Sequence, residues 1–166
     1  MNILYLHGLE SRLSDEKRAL LENYGIVIAP DLDYTSNLYM IQNLYDEFHQ
    51  QNINAIIGSS MGGFAGFHLA NALGVCALLY NPALPYRNSV VQNIPSGLPK
   101  KHSPLLRIVL GGQDEVVKAK DNLAFLSQNA GELRDCTIEI VNGLAHQIPI
   151  DVFEEQTEAF FERLCY

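Results

Sequence analysis

Basic side chains are scarce. Eleven Lys and Arg stand against 19 Asp and Glu, a formal net charge of −8. That balance disfavours nucleic acid or an anionic membrane as the main partner, because both repel negative protein. Cysteine is sparse too: Cys76, Cys136 and Cys165 are an odd number, with no CxxC pair and no Cys/His cluster at metal-ligand spacing. They read as buried or free thiols of a reducing compartment, with a catalytic cysteine as the lesser alternative. No apolar run approaches the roughly 18 residues a membrane helix needs, so no membrane span is expected. The opening MNILYLHG lacks a basic segment and a signal-peptide core. No secretory leader is therefore expected, and the cytoplasm is the default compartment. Internal repeats and interdomain linkers are also missing, and 166 residues suit one domain spanning 1–166 with one sizeable core.

What is present is an alternation of short apolar runs with helical patterns. Asn2–Leu6 reads as a buried strand. Ser11 or Ser14 can cap a helix carrying Leu20, Leu21 and Tyr24 on one face, ended by Gly25. Ile26–Ala29 is a second strand, and Thr35 or Ser36 can cap a helix with Leu38, Ile41, Tyr45 and Phe48 at helical spacing. A third strand from Ala55 runs into Gly58, a helix covers Met61 to Leu73, and Gly74 ends it. Val75–Tyr80, Leu105–Leu110 and Thr137–Val141 complete the strands, with helices over roughly 116–128 and through Phe153, Thr157, Phe160, Phe161 and Leu164. This order predicts an α/β fold: three layers, with a mostly parallel central sheet of about six strands between helices. Residues 81–104 break the pattern with five of the seven prolines, and are expected to form a lid or pocket loop.

The third strand stops at Gly58-Ser59-Ser60-Met61-Gly62, a G-x-S-x-G pattern set where a strand gives way to a helix. A sharp strand–turn–helix holds the central serine in a strained conformation with its hydroxyl exposed. Small residues two before and two after let strand and helix approach, and Gly58 and Gly62 supply them. The helix N-terminus favours a developing oxyanion, with the backbone N–H of Met61 as the first donor. A second donor is expected from the loop after the first strand, at Leu9. A serine needs a base. His146 lies between the last strand and last helix, on the same sheet edge as Ser60. His49 and His68 fit less well, His7 reads as a structural residue at its turn, and His102 lies within the proline-rich loop, with reach into the pocket as its lesser alternative. Asp114, after the fifth strand, shares that edge and is the candidate partner of His146, with a helix N-cap as its blander role. Asp31 and Asp33 also follow a strand but precede the serine, and Glu115 would point elsewhere.

Serine, then acid, then histidine is the α/β-hydrolase order. YLHGLESR, GSSMGGF, the NPA after the fourth strand, GGQDEVV and GLAH, in that order, resemble the small bacterial YqiA/YcfP-type esterases of the α/β-hydrolase superfamily. The likeness runs along essentially the whole chain. It implies an α/β-hydrolase fold with no large cap domain, and esterase or thioesterase activity on a small-molecule acyl substrate, with Ser60, Asp114 and His146 as the triad. Ala145 stands where many such enzymes have Gly, and HGLE replaces the HGGG of some lipases, which argues against large glycerides. No metal or organic cofactor is required by that chemistry. An amidase or peptidase on the same triad, or a non-catalytic binding module, are the competing expectations.

Overall fold

The computed structural model describes residues 1–86 and 90–164. Six strands form one sheet: β1 (Asn2–Leu6), β2 (Ile26–Ile28), β3 (Ala55–Ser59), β4 (Cys76–Tyr80), β5 (Leu106–Gly111) and β6 (Cys136–Val141). Every pairing is parallel, in the order β2-β1-β3-β4-β5-β6. Among the described residues, α1 (Asp15–Glu22), α2 (Met40–Phe48), α3 (Met61–Leu73) and α4 (Ala119–Gln128) lie between strands, α5 (Ile150–Leu164) follows β6, and no α-helix joins β4 to β5. No described helix is long and apolar enough to cross a membrane.

The inner strands β1, β3 and β4 are nearly continuous apolar runs because both faces of the sheet are covered there, whereas the edge strand β6 carries Thr137 and Glu139 and leaves Ile138 and Ile140 exposed. Side chains alternate between two cores. Leu4, Leu6, Ile56, Leu79 and Ile108 pack toward α2, α3 and α4. Ile3, Tyr5, Ile57, Tyr80 and Val109 pack toward α1 and α5. The apolar stripe of α5 is as its spacing implies, with Phe153, Thr157, Phe160 and Phe161 buried.

From β1 the chain moves outward to β2, then returns to lay β3 on the other side of β1. Connections leaving β1 and β3 therefore diverge, and a crevice opens beyond the carboxyl ends of these two strands. Such a switch point is where open parallel sheets hold their sites. Ser60 follows β3 directly and Gly8 follows β1 closely.

Several local expectations are corrected. Thr35 and Ser36 do not cap α2: both donate backbone and hydroxyl groups to the Asp33 carboxylate, and the helix begins later, after Tyr39. Leu38 is thereby left outside the helix and exposed. At α1, Ser14 is the cap, its Oγ accepting from Lys17 N. Gly25 does not end that helix, which closes at Asn23; Gly25 is small because its backbone meets the Met1 carbonyl. Gly74 does end α3, in the left-handed region at φ 73°. The helix expected from 116 starts at Ala119, because Val116 N and Val117 N are taken by Asp114 Oδ1.

The proline-rich connection divides in two. Its first part forms a short 3-10 turn at Leu84–Tyr86 beside Ser60, with Ala83 N donating to Ser60 O. Gln92 Nε2 then bonds Tyr34 O and Asn37 O, and His102 N bonds Asn71 O near the far end of α3. His102 therefore lies at the opposite edge of the sheet from Ser60 and does not reach the pocket. Residues 87–89 of this segment, and Cys165 among the cysteines, lie outside the described residues.

Candidate active site

Ser60 sits at φ 55°, ψ −117°, a region that strains any residue with a Cβ. Its backbone is held on every side. Ser60 N donates to Tyr80 O, and Ser60 O accepts from Phe64 N and Ala83 N. The flanking glycines are a steric necessity. A Cβ on Gly58 would strike the Gly62 carbonyl, and one on Gly62 would strike the Leu6 carbonyl at the end of β1. Gly63 was not singled out by its sequence, yet a Cβ there would lie 2.8 Å from Pro82 Cα. Gly8 presses against the serine itself, where an added Cβ would stand 3.2 Å from Ser60 Cβ.

The hydroxyl of Ser60 donates to His146 Nε2 at 3.1 Å, and His146 Nδ1–H donates to Asp114 Oδ2 at 2.7 Å. The Asp114 side chain is fully buried and its second oxygen accepts from Val116 N and Val117 N, both at 2.8 Å. Its N-cap-like role and its role toward the histidine thus use different oxygens of one carboxylate. This carboxylate fixes the imidazole as the Nδ1–H tautomer, leaving Nε2 free to accept the serine proton. Ser60, Asp114 and His146 are thereby joined in one hydrogen-bonded line.

The loop bearing His146 is anchored by Asn81, the first residue of the NPA motif, to which the sequence assigned no role at the site. Asn81 is completely buried at φ 41°. Its Nδ2 donates to Ala145 O (2.9 Å) and His146 O (3.1 Å), and its Oδ1 accepts from Gly111 N (2.7 Å). Gly111 is also tight, since a Cβ there would lie 2.5 Å from Leu144 O. On the other side of the loop, Lys17 Nζ donates to Ile148 O at 2.6 Å and stands 5.1 Å from the centre of the Phe153 ring. Burial pushes the Lys17 ammonium pKa down, against the attraction of Glu16, which raises it.

Leu9 and Met61 line the same cleft as Ser60 and His146, early in the loop after β1 and at the first residue of α3. The helical start leaves the Met61 N–H without an intrahelical acceptor. His7 is structural: Nδ1–H donates to Gly8 O, and Nε2 accepts from Leu32 N. The Leu32 bond, with that of the Tyr34 hydroxyl to His7 O, ties the β1 loop to the segment after β2. His49 bonds the carbonyls ending α2, and His68 packs edge-on against Phe64 and Phe67. Neither lines the cleft. Cys76 and Cys136 are free thiols whose pKa values burial raises, that of Cys136 to about 11. Neither lines the cleft, so the catalytic-cysteine alternative finds no support in them. Among the described residues no group of His, Cys, Asp and Glu is arranged to hold a metal ion.

The cleft holds about 720 Å³, the size of a small-molecule site. Fold and crevice together define an α/β hydrolase architecture. SOBER1 of Arabidopsis thaliana superposes with a TM-score of 0.77 at 16% identity, covering 100% of this chain and 99% of that one. Est1E of Butyrivibrio proteoclasticus gives 0.68 at 16% identity over 99% and 88% of the two chains. Mouse alpha/beta hydrolase domain-containing protein 10 gives 0.67 at 14% identity over 98% and 90%. At such identities the likeness establishes the fold. No curated protein sequence matches the chain significantly. Residues 2–104 match the model of UPF0227, described as an uncharacterised protein family, and the chain belongs to that family.

Proposed function

We propose that the chain is a serine hydrolase that cleaves carboxylic esters or acyl thioesters through an acyl-enzyme. The observation that carries this reading is the unbroken hydrogen-bonded path from Ser60 Oγ through the His146 ring to Asp114. Ser60 Oγ attacks the acyl carbonyl while His146 Nε2 takes its proton. The N–H groups of Met61 and Leu9 receive the oxyanion. His146 then gives the proton to the departing alcohol or thiol, and Asp114 stabilises the imidazolium meanwhile. Water, deprotonated by the same Nε2, releases the acid and restores the serine. Asp114 is suited to its part because it keeps its charge partner on one oxygen and two backbone donors on the other.

Est1E has also been solved with ferulic acid bound (TM-score 0.71, 16% identity, 99% of this chain and 90% of that one). A carboxylic acid is the product class of ester cleavage, which supports an ester as substrate here. Within the proline-rich connection, Ala83, Tyr86 and Val90 line the cleft and serve as the proposed pocket wall, and a reducing cytoplasm suits the free, partly buried thiols. The test is turnover of p-nitrophenyl butyrate and butyryl-CoA by wild type and Ser60→Ala. Loss on the order of 10⁶-fold in kcat is expected for a lone nucleophile. Hydrolysis that survives the substitution would refute the assignment.

A further inference from the structure

The walls of the cleft are unlike one another. On the α3 and α4 side stand Ala83, Tyr86, Val90, Val116 and Val117. Pro82 packs on Gly63 of α3, and the Tyr86 hydroxyl is committed to Asp121 of α4, so this wall offers carbon to a ligand. On the α1 and α5 side the polar residues Ser11, Arg12, Ser14, Lys17 and Gln147 stand among the apolar Leu9 and Ile148. Two cations therefore face the site. Among the described lining residues there is no Asp or Glu, although the chain holds 19 acidic side chains against 11 basic ones. Glu10, Asp15 and Glu16 neighbour this wall in sequence, but all three are exposed and lie outside the lining.

Arg12 is the informative residue. It is exposed, and it makes no hydrogen bond or ion pair with any described residue. Lys17, by contrast, is already tied to Ile148 O. A guanidinium has five N–H donors in a planar fork suited to carboxylate or phosphate. Here none of the five has a partner among the described residues, and the guanidinium stands at the rim of a cleft with no Asp or Glu among its described lining residues.

We propose that the substrate is an ester or thioester with an apolar group on one side of the scissile carbonyl and an anionic oxygen group, carboxylate or phosphate, on the other, held by Arg12 with Lys17 adding charge. This rests on the hydrolase reading above and adds the substrate class. The anion lies on the leaving group. His146 protonates that group, and Gln147 and Ile148, the residues following His146, belong to the cationic wall. The apolar acyl chain lies against Val90, Val116 and Val117.

Three butyrate esters test it: that of 3-hydroxybenzoate, that of its neutral methyl ester, and that of 3-hydroxyphenyl phosphate. The reading is the ratio of kcat/KM, anionic to neutral, in wild type, Arg12→Ala and Arg12→Glu, so that intrinsic leaving-group differences cancel. The ratio is expected to fall about tenfold in R12A and further in R12E, and to shrink in wild type at about 0.5 M salt. The anion with the larger dependence on Arg12 identifies the group recognised. A ratio equal within about twofold in wild type and R12A, for both anions at low salt, overturns the proposal. Wild type that cleaves none of the three esters refutes the underlying hydrolase reading instead, so the two failures are distinguishable.

Discussion

Ser60 carries a conformational cost that its Cβ imposes, and the surrounding hydrogen bonds to Tyr80, Phe64 and Ala83 hold it there. Such strain is on the order of 1–3 kcal/mol, while glycine gives back roughly 0.5–1 kcal/mol by its freedom in the unfolded chain. Ser60→Gly is therefore expected to exceed Ser60→Ala in stability by about 1 kcal/mol, or roughly 2–4 °C in Tm. Equal melting temperatures for the two variants would mean that the elbow is unstrained. Asn81 makes a second prediction at this scale. Asn81→Ala orphans two carbonyls of the His146 loop and the Gly111 N–H, for a loss of about 2–4 kcal/mol. Because the loop carries the base, kcat per folded molecule is expected to fall about 10- to 100-fold with KM little changed. A purely structural asparagine would lower Tm and leave kcat intact. That Ser60, Asp114 and His146 would come together was legible because each follows an apolar run on one sheet edge. Asn81 was not, since its partners lie 30 to 65 positions away and nothing local reports them.

The element that organises the site is α3. Both its ends were legible: Gly58-x-Ser60-x-Gly62 marks its start and Gly74 its finish. Its glycines let it sit against β1, as Gly62 meets the Leu6 carbonyl and would stand 2.5 Å from His7 O if it bore a Cβ. Gly62→Ala is expected to push α3 off the sheet and cost about 3 kcal/mol or more, read as a lower midpoint in urea. A midpoint within error of wild type would show that β1 and α3 have room to separate. The starts of α2 and α4 were misread for one physical reason. Asp33 and Asp114 gather nearby backbone N–H groups into local turns, which postpone the helix by a few residues. At Asp114 the same turn also steadies the carboxylate that meets His146.

Over the whole molecule, the parallel sheet follows from alternation of strands and helices, but the strand order does not. It is set by the direction in which each crossover leaves the sheet, and the reversal between β1 and β3 puts Gly8 and Ser60 side by side. The long proline-rich connection was read as one lid or pocket loop. Its described part near Ser60 lines the cleft, and its later part returns past α3 to the opposite edge, where β5 must begin. The net charge is read from the composition, but the lack of Asp or Glu among the described lining residues is not, because the composition does not say where the charges stand. All of this converges on Ser60, the proposed nucleophile, hydrogen-bonded to a histidine 86 positions further along the chain. Reaction with a fluorophosphonate, followed by mass spectrometry of the digested protein, tests that coupling directly. One adduct is expected, on Ser60, forming at least about a thousandfold more slowly in His146→Ala. An unmodified Ser60, an adduct on another serine, or a labelling rate indifferent to His146 would contradict it.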